Sequence, residues 1–563
     1  MTGVSSSKSL PKPLIVQSDG TLLVETAHPD FEAVRDRLLG FAELFKSPEH
    51  FHTYRISTIS LWHAAAMGQT PETVLRVLHE QSRYPLPLNL QQMVLTEMNK
   101  YGSLTLVLGD GCHLLEGERD LLDEIRRLPE LKAHLSGRKR TVLQIKEHAR
   151  GAVKRLLAKH GYPVRDRVGY VDGDPLPLTL RTRTQSGRAF LLRPYQQEAV
   201  ERFAAGGVDG GSGVVVLPCG AGKTVVGIAA IARMQTHTLI LTPNILAARQ
   251  WIAELLDKTD LTADDIGEYT SEHKHIRAVT VTTYQMLTYR SGSSYPHFER
   301  LNSVRWGLIV YDEVHLLPAP IFRLTADVQS TRRLGLTATL VREDGAEHDV
   351  FAMIGPKKYE VPWKVMEQGG YLAPTECYEI NVPLPRDWRI RYTAAAKRQK
   401  YRIASLNPQK YEVIRTLLAK HQQDRVLIIG QYLEQLEEAG ARFGAPVLTG
   451  KTKLAERERL FRQFRDGAVS VLIVSKVANV AIDLPDANVA IQISGAFGSR
   501  QEEAQRIGRL LRPNQDGSTS AFYTVVTRDT VDRELANHRQ LFLTEQGYTY
   551  RVLNAEEIGG SAP

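Results

Sequence analysis

Val214 to Thr224 reads VVVLPCGAGKT, and an apolar helical stretch follows it through Ala232. A short apolar strand that feeds a tight glycine loop and then a helix turns several backbone N–H groups toward one point, at the positive end of the helix dipole. That point suits phosphate. In this reading Cys219, Gly220, Ala221 and Gly222 line the phosphates of ATP, Lys223 reaches the β- and γ-phosphates, and Thr224 binds the Mg2+ that bridges them. The pattern GxxxxGK[ST] departs at one place, because Leu217 stands where its first glycine is expected. A loop that merely turns the chain has no need of strand, lysine, threonine and helix in this register. The nearby GGVDGGSG of 206–213 has no Lys-Thr pair after it and reads as a surface loop.

Working outward, Leu308 to His315 reads LIVYDEVH, an apolar strand ending in adjacent carboxylates. Asp312 at the strand tip is placed to hold Mg2+ through water, and Glu313 to polarise the water that attacks the γ-phosphate. Acidic pairs after strands are common on protein surfaces. One that follows a phosphate loop by about 90 residues supplies both roles an ATP hydrolase needs. His315 is expected to sense the nucleotide state and couple it to Thr337-Ala338-Thr339. Upstream, Leu192 to Gln196 reads LRPYQ, in which the Gln196 amide can read an adenine edge and Arg193 or Tyr195 can hold the base.

Far along the chain lies Gln505-Arg506-Ile507-Gly508-Arg509-Leu510-Leu511-Arg512. Arg506, Arg509 and Arg512 recur every three residues, near one helical face, where like charges repel unless an anion lies opposite. A triphosphate held between two domains supplies that anion. Arg509 and Arg512 are therefore expected to act as arginine fingers, with Gln505 beside them in the catalytic set and Arg506 in coupling.

The whole chain bounds these readings. At 563 residues it is long enough for several cores, and 71 Lys plus Arg against 63 Asp plus Glu give a net charge of +8, mildly favouring a polyanionic partner. Three scattered cysteines build neither a disulfide framework nor a zinc site. No region approaches the roughly eighteen uninterrupted apolar residues of a membrane span, and the polar start lacks a secretory signal, so a cytoplasmic location is expected. Short apolar runs alternate twice with helical segments, at 214–217, 238–241, 279–282 and 308–311, then at 426–429, 471–474, 489–493 and 521–525. The expected fold class is α/β, two tandem parallel-sheet domains preceded by smaller units. The expected limits are 1–130 for a helical, winged-helix-like domain, 131–185 for a small α+β domain, and 186–365 and 366–563 for the two larger domains, with a hinge near 355–385. Within the first, Thr58 is expected to cap one helix, Thr70-Pro71 to start another and a third to follow Pro87, before a hairpin around Asp110-Gly111. Paired histidines, His50 with His52 and His273 with His275, lack the companions a metal site requires and read as surface residues.

Taken together, LRPYQ, LPCGAGKT, DEVH, TAT and QRIGRLLR occur in the order found in superfamily 2 helicases, with two RecA-like lobes. The chain resembles the XPB family in particular. Arg342-Glu343-Asp344 within LGLTATLVRED is similar to that family's RED motif, and further likeness lies in Ser475-Lys476-Val477, Ile482-Asp483-Leu484-Pro485 and Phe497-Gly498-Ser499-Arg500. The resemblance spans nearly the whole chain and is loose before about residue 180, where 131–185 resembles a damage-recognition-like domain. It implies ATP hydrolysis coupled to 3′ to 5′ movement on DNA, with duplex opening and a role in repair. It implies single-stranded and forked DNA as partners, with room for nuclease, repair or transcription proteins, and the chain's length by itself suggests a compact prokaryotic member rather than a nuclear one. Strand contacts are expected from Thr242, Thr283 and Thr449, each after a short strand, with Arg342, Glu343 and Asp344 separating strands. The basic stretch 386–402 matches the place of a thumb-like insertion. Two other readings share these residues: a duplex translocase that does not separate strands, and a DNA-binding scaffold with an inactive ATPase fold.

Overall fold

The computed structural model describes residues 11–46, 50–109, 112–136, 142–146, 149–167, 173–205, 211–218, 220–291, 295–316, 330–338, 347–361, 363–475, 487–495, 519–546 and 548–558. Within them lie two seven-stranded sheets and two four-stranded ones.

The first small sheet joins β1 (Leu14–Val16), β2 (Thr21–Glu25), β3 (Glu43–Lys46) and β4 (Phe51–Arg55) in the order β1-β2-β4-β3, all antiparallel. Three helices of this region, Thr58–Ala66, Pro71–Gln81 and Leu88–Lys100, begin close to where the sequence places them. Thr70 accepts from the Thr73 amide and Pro71 takes the first helical position, where a missing N–H costs nothing. The earlier cap is Ser57 rather than Thr58: Ser57 and Ser60 exchange side-chain and backbone bonds in a capping box. The four strands before residue 56 are an addition to the helical unit expected there.

The second small sheet is built from β5 (Leu104–Gly109), β6 (Cys112–Glu116), β7 (Leu143–Ile145) and β8 (Val164–Arg167), ordered β7-β6-β5-β8. Strands β5 and β6 form the expected hairpin. The sheet straddles the 130/131 boundary drawn from sequence, because β5 also pairs with β8. Residues beyond 173 run along the first large sheet: Leu176 N bonds to Gln235 O and Arg181 N to Lys258 O.

That large sheet contains β9 (Ser212–Val216), β10 (Thr238–Thr242), β11 (Ile266–Tyr269), β12 (Val279–Thr283), β13 (Trp306–Asp312), β14 (Ser330–Thr337) and β15 (Lys357–Glu360), all parallel, ordered β11-β12-β10-β13-β14-β9-β15. Its central strands are apolar on both faces, as helices covering both sides require. Alternation along each strand separates two cores: Val215, Ile240 and Val310 face Ile228 and Trp251, whereas Val214, Leu241 and Ile309 face Leu287 and Met353.

The second large sheet repeats the plan with β16 (Thr375–Val382), β17 (Val426–Ile429), β18 (Val447–Leu448), β19 (Val471–Val474), β20 (Val489–Gln492), β21 (Ser520–Thr527) and β22 (Tyr550–Asn554), ordered β18-β19-β17-β20-β21-β16-β22. Two tandem parallel sheets flanked by helices match the RecA-like pair expected. The crossing between them occupies 361–374, inside the expected hinge, and carries the helix Trp363–Gln368. The basic stretch after β16 forms two helices, Arg386–Ala394 and Lys397–Ser405, the first without a buried residue.

Candidate active site of the first lobe

In an open parallel sheet, ligands gather where neighbouring strands end at their carboxyl edge. Here β13, β14 and β9 are consecutive neighbours, with Asp312 in register with Leu336 and Thr337 with Val216. Asp312, Thr337 and the loop after Val216 therefore reach the same edge, although 121 residues separate Val216 from Thr337.

The loop's geometry depends on its glycines. Gly220 and Gly222 have φ of +81° and +77°, a region that L side chains rarely adopt, and Gly222 caps the helix Lys223–Met234. A Cβ on Gly222 would lie 2.6 Å from Gln196 Nε2. Lys223 and Thr224 open the helix, both partly buried, so the helix N-terminus and the lysine cation bear on one spot. The Lys223 Nζ lies 3.4 Å from Glu313 Oε1. Glu313 itself has φ of +51°, a left-handed backbone that costs about 1–3 kcal/mol and is kept where the surroundings over-determine it. That turn aims its carboxylate between Lys223 and His315, whose Nδ1 is 3.4 Å from Glu313 Oε2. The same nitrogen is 2.8 Å from Thr337 Oγ1, and the Thr337 carbonyl accepts from Leu217 N at the entrance of the loop. Phosphate loop, carboxylate, imidazole and threonine thus form one closed circuit.

Asp312 is held separately. Trp251 Nε1 donates to its Oδ2 at 3.0 Å, and the Tyr284 hydroxyl donates to its backbone carbonyl at 2.6 Å. Burial first, then the Glu313 charge, raise the Asp312 carboxyl above the ordinary carboxylate range; Trp251 and Lys223 pull it back. Burial likewise raises the Tyr284 phenol, with the Asp312 charge adding to it. A carboxylate in that condition favours an added cation. A carboxylate such as that of Asp312 and a hydroxyl such as that of Thr224 are hard oxygen donors of the kind that suit Mg2+.

The LRPYQ segment is tied to the loop. Ala221 O accepts from Tyr195 OH at 2.9 Å and from Gln196 Nε2 at 3.0 Å, while Gln196 Oε1 accepts from Arg193 N at 3.0 Å. Both ends of the Gln196 amide are engaged, so reading adenine requires an exchange of these bonds. The Arg193 guanidinium lies 5.4 Å from the ring of Tyr371, in the crossing between lobes, and Tyr371 meets Tyr195 edge-on at 5.0 Å.

The expected strand contacts are engaged internally. Thr242 is fully buried, with its hydroxyl 3.0 Å from the Thr282 carbonyl. Thr283 caps the helix Tyr284–Thr288, and Thr449 Oγ1 accepts from Lys451 N at 3.2 Å. Cys219, Thr339, Arg342, Glu343, Asp344, Gln505, Arg506, Arg509 and Arg512 lie outside the described residues. Trp251 and Tyr371 are the site's additions to the sequence reading. Each comes from a distant stretch, and neither carries a local spacing that marks it. Among the described residues no group of three or more His, Cys, Asp or Glu gathers as for a metal.

Comparison with known proteins adds the family. Residues 366–560 match the family described as ERCC3/RAD25/XPB C-terminal helicase, residues 14–140 a helicase conserved C-terminal domain, and residues 189–342 the type III restriction enzyme res subunit. A DNA 3′-5′ helicase XPB of Kineococcus radiotolerans is 51% identical, with 98% of each chain covered. The chain belongs to the XPB helicase family. The XPB protein of Mycobacterium tuberculosis is likewise 51% identical, over 98% of this chain and 99% of its own. The general transcription and DNA repair factor IIH helicase/translocase subunit XPB of Antonospora locustae is 33% identical, over 97% and 82%. No helix among the described residues is long and apolar enough to cross a membrane.

Proposed function

We propose that this XPB-family chain hydrolyses ATP with Mg2+ and uses the cycle to move 3′ to 5′ on DNA and open the duplex, in DNA repair. The observation that supports it most is the circuit from Lys223 through Glu313 and His315 to Thr337, at 3.4, 3.4 and 2.8 Å. Backbone N–H groups from Gly220 to Thr224 bind the phosphates, and Lys223 leaves Glu313 to meet the β- and γ-phosphates. Glu313, released from that ion pair, accepts the proton of the attacking water. Mg2+, held by Thr224 and through water by Asp312, supplies charge neutralisation at the phosphates when bound. His315 and Thr337 carry the change in Glu313 to the loop entrance at Leu217. Gln505, Arg509 and Arg512 of the second lobe complete the site across the cleft and Arg506 couples it, so hydrolysis alters how the lobes meet. Arg342, Glu343 and Asp344 part the strands, while Thr242, Thr283 and Thr449 hold the backbone once their internal bonds are exchanged.

The deciding experiment is strand displacement on 3′-tailed and 5′-tailed forks with ATP and Mg2+. Opening of the 3′-tailed fork alone is expected, and preference for the 5′ tail contradicts the polarity. A second reading, duplex translocation without strand separation, is kept in view by the helicase/translocase name of the Antonospora relative. It predicts DNA-stimulated ATPase with neither fork opened. The site of action is the cytoplasm, on single-stranded and forked DNA, with nuclease, repair or transcription proteins as the class of partner.

A further inference from the structure

Trp251 connects two parts of the first lobe that the proposed function treats separately. It lies on the helix Ile245–Lys258, is 1% exposed, and donates its indole N–H to Asp312 Oδ2 at 3.0 Å. The benzo edge of the same ring rests on the phosphate-loop helix at Gly227, where an added Cβ would be 2.4 Å from Cη2 and 3.2 Å from Cζ3. Glycine at 227 is what admits the indole so close. The ring is wedged between the helix that starts at Lys223 and the carboxylate assigned to Mg2+. A displacement of its own helix must therefore move or break the bond to Asp312.

The start of that helix is the loop after β10. Asn244 Oδ1 accepts from Ala247 N at 2.9 Å, a side-chain cap that makes loop and helix one unit. Thr242 fixes the loop to the next strand, its hydroxyl lying between the carbonyls of Thr282 at 3.0 Å and Asn244 at 3.1 Å. From Asn244 to Trp251 is about two turns, roughly 10 Å of stiff helix. In this arrangement the Asn244 Nδ2 donor is buried without a hydrogen-bond partner among the described residues, which favours a rearrangement that satisfies it.

We propose that Trp251 is a positioning residue that ties strand contact at the loop Thr242–Asn244 to the aim of the Asp312 carboxylate, so that DNA binding sets the affinity for nucleotide-bound Mg2+. The inference rests on the helicase reading above and names a path from its strand-facing loop to its nucleotide site. Partners that orient a metal-holding carboxylate from outside the metal's own ligands commonly change metal affinity by about 10- to 100-fold when removed.

The test follows Mn2+ bound with ADP to the full chain, read as loss of the free Mn2+ paramagnetic resonance signal, with and without a single-stranded oligonucleotide. Trp251→Phe keeps a large ring on Gly227 and removes the N–H. It is expected to weaken Mn2+ binding by about tenfold and to erase the shift that DNA produces in the wild type. Asn244→Ala removes the helix cap without touching the carboxylate, and at an oligonucleotide concentration that saturates this variant it is expected to reduce the DNA-dependent shift. Mn2+ affinity in Trp251→Phe within about twofold of wild type, or a wild-type DNA shift in either variant, overturns the inference. Should Trp251→Phe not fold, the Asn244→Ala shift decides. Absence of any DNA-stimulated ATPase in the wild type contradicts the helicase reading instead, a result distinguishable from failure of the Trp251 link alone.

Discussion

Lys223 and Glu313 face each other across the phosphate loop, Nζ to Oε1 at 3.4 Å, in a site where the two side chains are 10% and 19% exposed. Each charge compensates the other, and the proposed function has a bound nucleotide separate them. Lys223→Ala and Glu313→Gln therefore act differently on binding and alike on turnover. Lys223→Ala is expected to lose both ATP affinity and hydrolysis. Glu313→Gln is expected to retain ATP while hydrolysis falls by about 100-fold or more, the usual scale for a general base. Equilibrium nucleotide binding beside steady-state ATPase separates them, and loss of the folded circular dichroism signal in either variant would refute the assigned roles.

His315 sits between Glu313 and Thr337, with its Nδ1 3.4 Å from the Glu313 carboxylate and 2.8 Å from the threonine hydroxyl. The proposed function makes His315 a coupling residue rather than a catalytic one. His315→Asn is expected to reduce strand displacement more than ATPase, so that more ATP is hydrolysed per base pair opened. Equal losses in the two assays would make His315 part of the hydrolysis itself.

Much of this was legible before any coordinates. Strands Val426–Ile429 and Val471–Val474 coincide with the apolar runs that announce them, and the strand ending at Asp312 and the strand ending at Val216 reach one sheet edge. Strands were missed where polarity hides them. The strand Ser330–Thr337 carries two arginines in its first half, one of which, Arg333, is buried and donates to the Met353 carbonyl. The strand Thr375–Val382 carries Glu379, buried against Gln540 from a helix 161 residues away, and lies within the stretch expected as hinge. Trp251 shows the same limit at the site: a tryptophan on an amphipathic helix reads as core, and only folding reveals that its N–H meets Asp312 61 residues on.

The N-terminal unit reaches both lobes. Trp62 is fully buried with its ring 5.7 Å from Phe351, and His63 Nδ1 accepts from Lys357 N at 3.1 Å on the edge strand of the first lobe. Leu541, on the helix Val531–Glu545 of the second lobe, joins the N-terminal core. Phe351→Ala removes the ring that Trp62, His63 and Tyr101 share, a loss of about 3–5 kcal/mol of packing. Amides of the helix Thr58–Ala66 are expected to exchange faster with solvent hydrogen in that variant, while those around Asp312 keep their rate. Unchanged protection at 58–66 would mean that the ring does not anchor the unit.

Within the same unit, His52 gives acid sensitivity with a definite sign. It lies on the strand Phe51–Arg55, edge-on to Phe31 at 4.9 Å, and burial, with the Arg35 charge adding to it, lowers its pKa from 6.5 to about 4. The fold thus holds the imidazole neutral, whereas the unfolded chain protonates it near 6.5. A folded pKa below the unfolded one contributes stability that is complete above pH 6.5 and is lost as pH falls from there toward 4. His52→Phe keeps a ring against Phe31 and removes the titration. The thermal midpoint of the N-terminal transition is expected to drop between pH 6.5 and 4 in the wild type and to drop less in His52→Phe. Parallel curves for the two proteins across that window would assign the acid sensitivity to other groups, the carboxylates among them, whose loss belongs at lower pH.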